Sequence, residues 1–219
     1  MKGKIKVGFD FDGVVAYNPF RVVRPIIAFI KHDILGIKKL RFWYPQKKWQ
    51  QIFWVIVHES SIYPACGIEL LKKMVTDQQI EAHLITARYS FLNNRLHNWL
   101  NKYKLSGYFK TINLNINDDQ PHLFKSELID KYRLNYYIED NWDIVNYLAN
   151  CKKQKKTDFN TKIFWIYNVS DRNIKFPSKF PYLQKALEEL SKQIKNRRDS
   201  THLTQVCPYR VINQISGNS

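Results

Sequence analysis

Asp10 and Asp12 stand in the stretch Lys4-Ile-Lys-Val-Gly-Phe-Asp-Phe-Asp-Gly-Val-Val15. A short β-type run, Ile5 to Phe9, ends in two carboxylates two residues apart and then a glycine. In an extended chain residues i and i+2 project to one side. The spacing therefore predicts both carboxylates together at the carboxyl end of a strand, where open α/β sheets bind ligands. At ~4 Å and an effective dielectric of ~20 the repulsion between them is about 4 kcal/mol. A divalent cation or a shared proton would offset it.

Three further groups carry chemistry. Leu84-Ile-Thr-Ala-Arg88 ends a second apolar run in a hydroxyl, Thr86. Lys125 lies just inside a helical pattern opened by Pro121. Tyr136-Tyr-Ile-Glu-Asp-Asn-Trp-Asp143 ends another run in the acids Glu139, Asp140 and Asp143. Lys131 lies on the same helix as Lys125, but six residues on and about 240° around it, so Lys125 is the better candidate. The six histidines have no ligand spacing; His122, near Lys125, reads as a helix-start or surface residue.

Those residues need strands and helices to hold them. The β-type runs are Lys4–Phe9, Glu81–Ile85, Lys110–Leu114, Tyr136–Glu139 and Lys162–Tyr167. Helical spacing recurs between and after them. Ile68, Leu71 and Val75 form one set, and Leu92, Leu96, Leu100 and Tyr103 follow a candidate cap at Ser90. Leu123 to Tyr132 follow Pro121, Ile144 to Leu148 follow Asn141, and Leu183 to Ile194 follow Pro181. The alternation predicts an α/β fold with a Rossmann-like, doubly wound parallel sheet. Residues 17–64 interrupt it. They read as a mostly helical, aromatic-rich insertion after the first strand, placed to form a lid over the aspartates. The expected organisation is a core of residues 1–16 and 65–195, a small helical cap at 17–64, and a polar tail at 196–219.

Hydrophobic residues make up 44% of the 219, which supports a real core and excludes a disordered chain. No apolar run approaches the ~18 residues that span a bilayer, and no signal-peptide core is read at the N-terminus. Three scattered cysteines suggest neither a disulfide framework nor zinc. A cytoplasmic setting with no membrane partner is the expectation. The net charge of +16 fits a polyanionic partner, but the basic residues are dispersed, so nucleic acid is not favoured. A positive field still favours anionic substrates. The sequence leaves the oligomeric state unknown.

In this order, at strand and helix ends, the motifs resemble the haloacid dehalogenase-like hydrolase superfamily over about residues 4–150. The Asp-Phe-Asp-Gly-Val run carries most of that resemblance. Ile138-Glu-Asp-Asn141 is similar to the corresponding motif of the 5′(3′)-deoxyribonucleotidase-type members, although Glu139 stands where other members have glycine. The resemblance implies a Mg²⁺-dependent phosphomonoester hydrolase working through an aspartyl-phosphate. Asp10 would be the nucleophile and Asp12 the general acid and base, its backbone carbonyl also facing the metal. Thr86 and the Ala87 N–H would hold phosphoryl oxygens, and Lys125 would neutralise charge. Asp140 would hold Mg²⁺ beside Asp10, with either Glu139 or Asp143 as a second acidic partner. Arg88 would touch substrate or pair with Asp143 or Glu139. The implied substrate is a small phosphorylated metabolite, a nucleotide first, with Phe20, Trp43 and Trp49 as candidates to stack a base. The alternatives are a phosphatase acting on nucleic-acid ends and a non-catalytic binding protein with the same fold.

Overall fold

The computed structural model describes residues 4–19, 45, 47–59, 61–153 and 160–205. Six strands form one parallel sheet: β1 (Ile5–Phe9), β4 (Ile80–Thr86), β5 (Thr111–Leu114), β6 (Tyr136–Glu139), β7 (Lys162–Ile166) and β8 (Lys179–Phe180). Their spatial order is β5-β4-β1-β6-β7-β8. A separate antiparallel pair joins β2 (Ala16–Tyr17) to β3 (Tyr63–Pro64). The described helices are α1 (Lys48–Glu59), α2 (Ile68–Thr76), α3 (Asn93–Lys102), α4 (Pro121–Tyr132), α5 (Trp142–Lys153) and α6 (Leu183–Gln205). None is long and apolar enough to cross a membrane.

The sheet is covered on both faces. Val7, Phe9, Tyr136 and Ile138 pack with α2, α3 and α6 through residues such as Leu71, Leu100 and Leu187. On the other face Tyr137, Ile163 and Trp165 pack with α4 and α5 through Leu128, Ile129 and Val145. The period-two alternation of β6 makes this division. It also turns Glu139 to the same face as Tyr137, toward α4.

Register then sets what meets at the carboxyl ends. Phe9 pairs with Leu84 of β4 and with Ile138 of β6. Asp10 therefore follows the central strand, Thr86 ends one neighbour, and Glu139 and Asp140 end the other. The chain moves outward from β1 through β4 to β5, then crosses back to β6 on the far side of β1. That reversal is the topological switch point at which such sheets form their crevice.

Several elements differ from expectation. β1 stops at Phe9, and the chain turns from Phe11 to Val15 with Gly13 at φ 84°. Glycine enters this left-handed region without the penalty a Cβ would impose. Strand alternation therefore does not run through Asp10 and Asp12. Ser90 does not cap α3; it starts a 3-10 turn, Ser90–Leu92, and its hydroxyl and N–H donate to Asp118 at 2.8 and 2.7 Å. α6 runs to Gln205, well past the expected start of the tail, and residues 206–219 lie outside the described ones. Most of the insertion, Phe20 and Trp43 included, also lies outside them. Its two ends do not: Ala16 pairs with Pro64 and Tyr17 with Tyr63.

Two outcomes test this packing. Gly67 precedes α2 at φ 110°, and a Cβ there would meet the Gln184 backbone nitrogen at 2.5 Å. Gly67→Ala should cost roughly 2–4 kcal/mol in urea unfolding, because the clash is with backbone and the conformation disfavours a side chain. His83 of β4 bonds Thr111 at 2.9 Å and Glu81 at 3.1 Å. Burial pushes its imidazole below the usual 6.5, against the pull of Glu81. A lowered folded-state value means the unfolded chain binds the proton more readily, so this contribution is present above 6.5 and is lost as pH falls. The stability difference between the wild-type protein and His83→Gln should accordingly shrink between about pH 7.5 and pH 5.

Candidate active site

Lys125 joins the two halves of the site. It sits on α4 in phase with Leu128, Ile129 and Tyr132, at i+3, i+4 and i+7, so the packed face of the helix carries it under the sheet. Its side chain is 3% exposed. The ammonium donates to Asp10 Oδ1 at 2.8 Å and to Glu139 Oε2 at 2.7 Å. Lys131 is exposed and lies over Tyr132. Burial alone would lower the Lys125 ammonium, but the charges of Asp10 and Glu139 outweigh it and hold it above the usual lysine range.

Asp10, Glu139 and Asp140 present carboxylate oxygens within 4.8 Å of one another, all three residues buried. Burial, then the charge of Glu139, raises Asp10 well above the ordinary carboxylate range, and the Lys125 charge opposes this. Glu139 is committed to protein donors. Its Oε2 accepts from Lys125 and from Tyr137 OH at 3.1 Å, and its Oε1 accepts the Asn141 N–H at 3.1 Å. Asp143 lies outside this cluster, in the first turn of α5, where its N–H donates to the capping Asn141 side chain at 3.0 Å.

Asp12 faces a different cation. Arg88 grips it with a fork, Nε to Oδ2 at 2.7 Å and an η-nitrogen to Oδ1 at 2.6 Å. Ser61 adds a hydroxyl bond to Oδ1 at 2.6 Å. Asp12 is thus a partner of Arg88 that the sequence reading did not name. Phe11 fixes the guanidinium from below: its ring lies 4.5 Å from the Arg88 carbon and meets Trp99 edge-on at 4.8 Å. Thr86 is buried and its Oγ1 accepts the Arg88 N–H at 3.3 Å; Ala87 between them is half-buried.

Other residues shape the rim. The polar stretch after β5 folds on Asn115, which is fully buried and clasps Asp119 through the Asp119 N–H at 2.9 Å and its carbonyl at 2.7 Å. His122 is buried against Tyr147 at 4.6 Å rather than on the surface, and burial lowers its imidazole. Trp49 of α1 is 66% exposed. An open cleft of about 440 Å³ adjoins Asp12, with Ser61, Arg88 and Trp99 among its walls. Sequence reasoning missed Ser61, Tyr137, Asn115 and Trp99. Only Trp99 left a signal, standing seven residues after Leu92 on the packed side of α3.

No family model and no curated protein matches the chain. Solved structures do. A haloacid dehalogenase-like family hydrolase from Streptococcus pneumoniae aligns over 86% of this chain and 98% of its own, with a TM-score of 0.50 at 12% identity. A protein assigned as a beta-phosphoglucomutase from Thermotoga maritima aligns over 86% and 99%, with a TM-score of 0.51 at 14% identity. The chain has the haloacid dehalogenase-like fold. In that fold Asp10 and Asp12 follow the central strand, and each has its own buried cation.

Arg88 offers a direct test. Arg88→Met would leave Asp12 buried without its counter-ion and should cost about 3–5 kcal/mol in urea unfolding. Arg88→Lys restores the charge without the fork, so it should recover only part of that loss.

Proposed function

We propose that this protein is a Mg²⁺-dependent phosphomonoester hydrolase acting through an aspartyl-phosphate. The observation that carries the reading is the buried Lys125 bridge between Asp10 and Glu139, with Asp140 beside it. With all three carboxylates ionised, they and one ammonium sum to two negative charges, which a divalent cation would neutralise. Hard carboxylate oxygens suit Mg²⁺. Asp10 and Asp140 would hold it. Glu139, already taken by three donors, acts instead as the anchor of Lys125. Bound there, the ion would polarise a phosphoryl oxygen and offset charge.

The remaining chemistry belongs to the chain. Lys125 occupies Asp10 Oδ1, so Oδ2 is the attacking atom. Its attack forms an O–P bond while the bond from phosphorus to the leaving oxygen breaks, and the leaving oxygen takes a proton from Asp12. Water then returns a proton to Asp12 and attacks phosphorus, releasing inorganic phosphate and the Asp10 carboxylate. The sum is phosphomonoester plus water to alcohol plus phosphate. Lys125, Thr86 and the Ala87 N–H neutralise and orient the phosphoryl oxygens. Asp12 is forked by Arg88 at rest, and its proton transfers require that fork to open.

The substrate we propose is a small phosphorylated metabolite, a nucleotide first. Residues 17–64 would cover the site as a cap. Trp99 supports a base-stacking role better than the exposed Trp49 does, because it lines the cleft beside Asp12.

A panel of nucleotides, sugar phosphates and phosphorylated oligonucleotides assayed for phosphate release should show activity with Mg²⁺ and none with EDTA. Asp10→Asn should lose at least ~10³-fold in kcat/KM. Asp12→Asn should lose turnover but retain substrate binding. Absence of metal-dependent release from every ester would overturn the reading and favour a non-catalytic binding protein.

A further inference from the structure

The cleft beside Asp12 has a charge pattern that the transferred phosphate does not need. Arg95, Trp99 and Lys102 stand at i, i+4 and i+7 of α3, so one helix face presents two cations flanking an indole. Arg88 and Ser61, the two residues bonded to Asp12, form the inner wall, and Asn98 adds an amide. No carboxylate lines this cleft among the described residues. Trp99 also carries a buried indole N–H without an acceptor.

Position says which part of a substrate the cleft would receive. The phosphoryl group belongs with Asp10, Lys125 and Thr86. The leaving oxygen belongs at Asp12, and the cleft opens from the two residues that hold Asp12. It therefore lies on the leaving-group side. We infer that the cleft is a subsite for a second phosphate carried by the leaving group, bound by Arg95 and Lys102 with Arg88 at the inner end. This rests on Asp12 being the residue that faces the leaving oxygen. Guanidinium and ammonium groups on a phosphate form charge-assisted hydrogen bonds. Two substrate types share this chemistry: a nucleoside 3′,5′-bisphosphate and the 5′-phosphorylated end of a strand, whose next phosphate lies one nucleotide on.

The test compares kcat/KM of the full-length protein with Mg²⁺ for adenosine 5′-monophosphate, adenosine 3′,5′-bisphosphate and a 5′-phosphorylated dinucleotide. At least one of the doubly charged substrates should exceed the monophosphate by about tenfold. The stronger of the two identifies the source. The advantage should shrink with added salt. It should fall to about one in R95Q/K102Q and persist in K192Q/K195Q, which removes two exposed charges from α6. Equal rates for all three in the wild-type protein, or a preference that survives R95Q/K102Q, overturns the subsite. Failure of the catalytic reading is separate, because p-nitrophenyl phosphate, which has no second anion, would then also resist hydrolysis. In that event equilibrium binding of the same ligands, followed by tryptophan fluorescence, decides. A Kd about tenfold tighter for a doubly charged ligand and lost in R95Q/K102Q supports the subsite, and equal affinities refute it.

Discussion

One buried ammonium holds this site together. Lys125 comes from a helix on one face of the sheet and reaches two carboxylates that end neighbouring strands. Without it, Asp10, Glu139 and Asp140 would be three anions in a space from which water is largely removed. Burying even one such group uncompensated is expensive. The neighbouring strands, the packed face of α4 and the Tyr137 hydroxyl all serve to keep that ammonium where the charges meet. The second aspartate follows the same rule with different parts, Arg88 and Ser61.

This separation changes the meaning of the Asp10–Asp12 pair. Two acids two residues apart suggest one shared counter-ion. The structure instead ends the strand before Asp10, starts a turn at Phe11, and gives each acid its own. Phe11 is the spacer, and it is not idle: it packs between Arg88 and Trp99, so the residue that separates the acids also positions the cation for one of them. Different electrostatic surroundings let neighbouring carboxylates take different roles.

Much of the core was legible because its signals are local. Tyr136–Glu139 matches its strand to the residue, since three consecutive strand-formers run into acid and cap. Pro121 marks the start of α4, and the inward phase of that helix selects Lys125 over Lys131. Signals that depend on distant partners were not legible. Nothing near Arg88 names Asp12 as its partner, and nothing near Ser61 does either. β2, β3 and β8 have two residues each, too short to show a period. α6 outruns its apolar pattern because its continuation past Lys195 is polar and carries no periodicity to read. The two-strand contact at Ala16–Pro64 and Tyr17–Tyr63 shows where residues 17–64 leave and rejoin the core, a junction that composition could only bracket.

The strand order has a consequence for how the molecule is made. β1 is central, yet its partners are Ile80 onward on one side and Tyr136 onward on the other. During synthesis it leaves the ribosome well before either edge can be covered. Parallel pairings over such separations demand loop closure ahead of any reward, which slows folding. Until β4 is complete, both edges of the strand that leads into Asp10 are open to other chains, and one stays open until β6 is complete. The residues gathered at Asp10 are thus assembled only after most of the sheet has been synthesised, and a chain arrested before Tyr136 would hold the motif without the site.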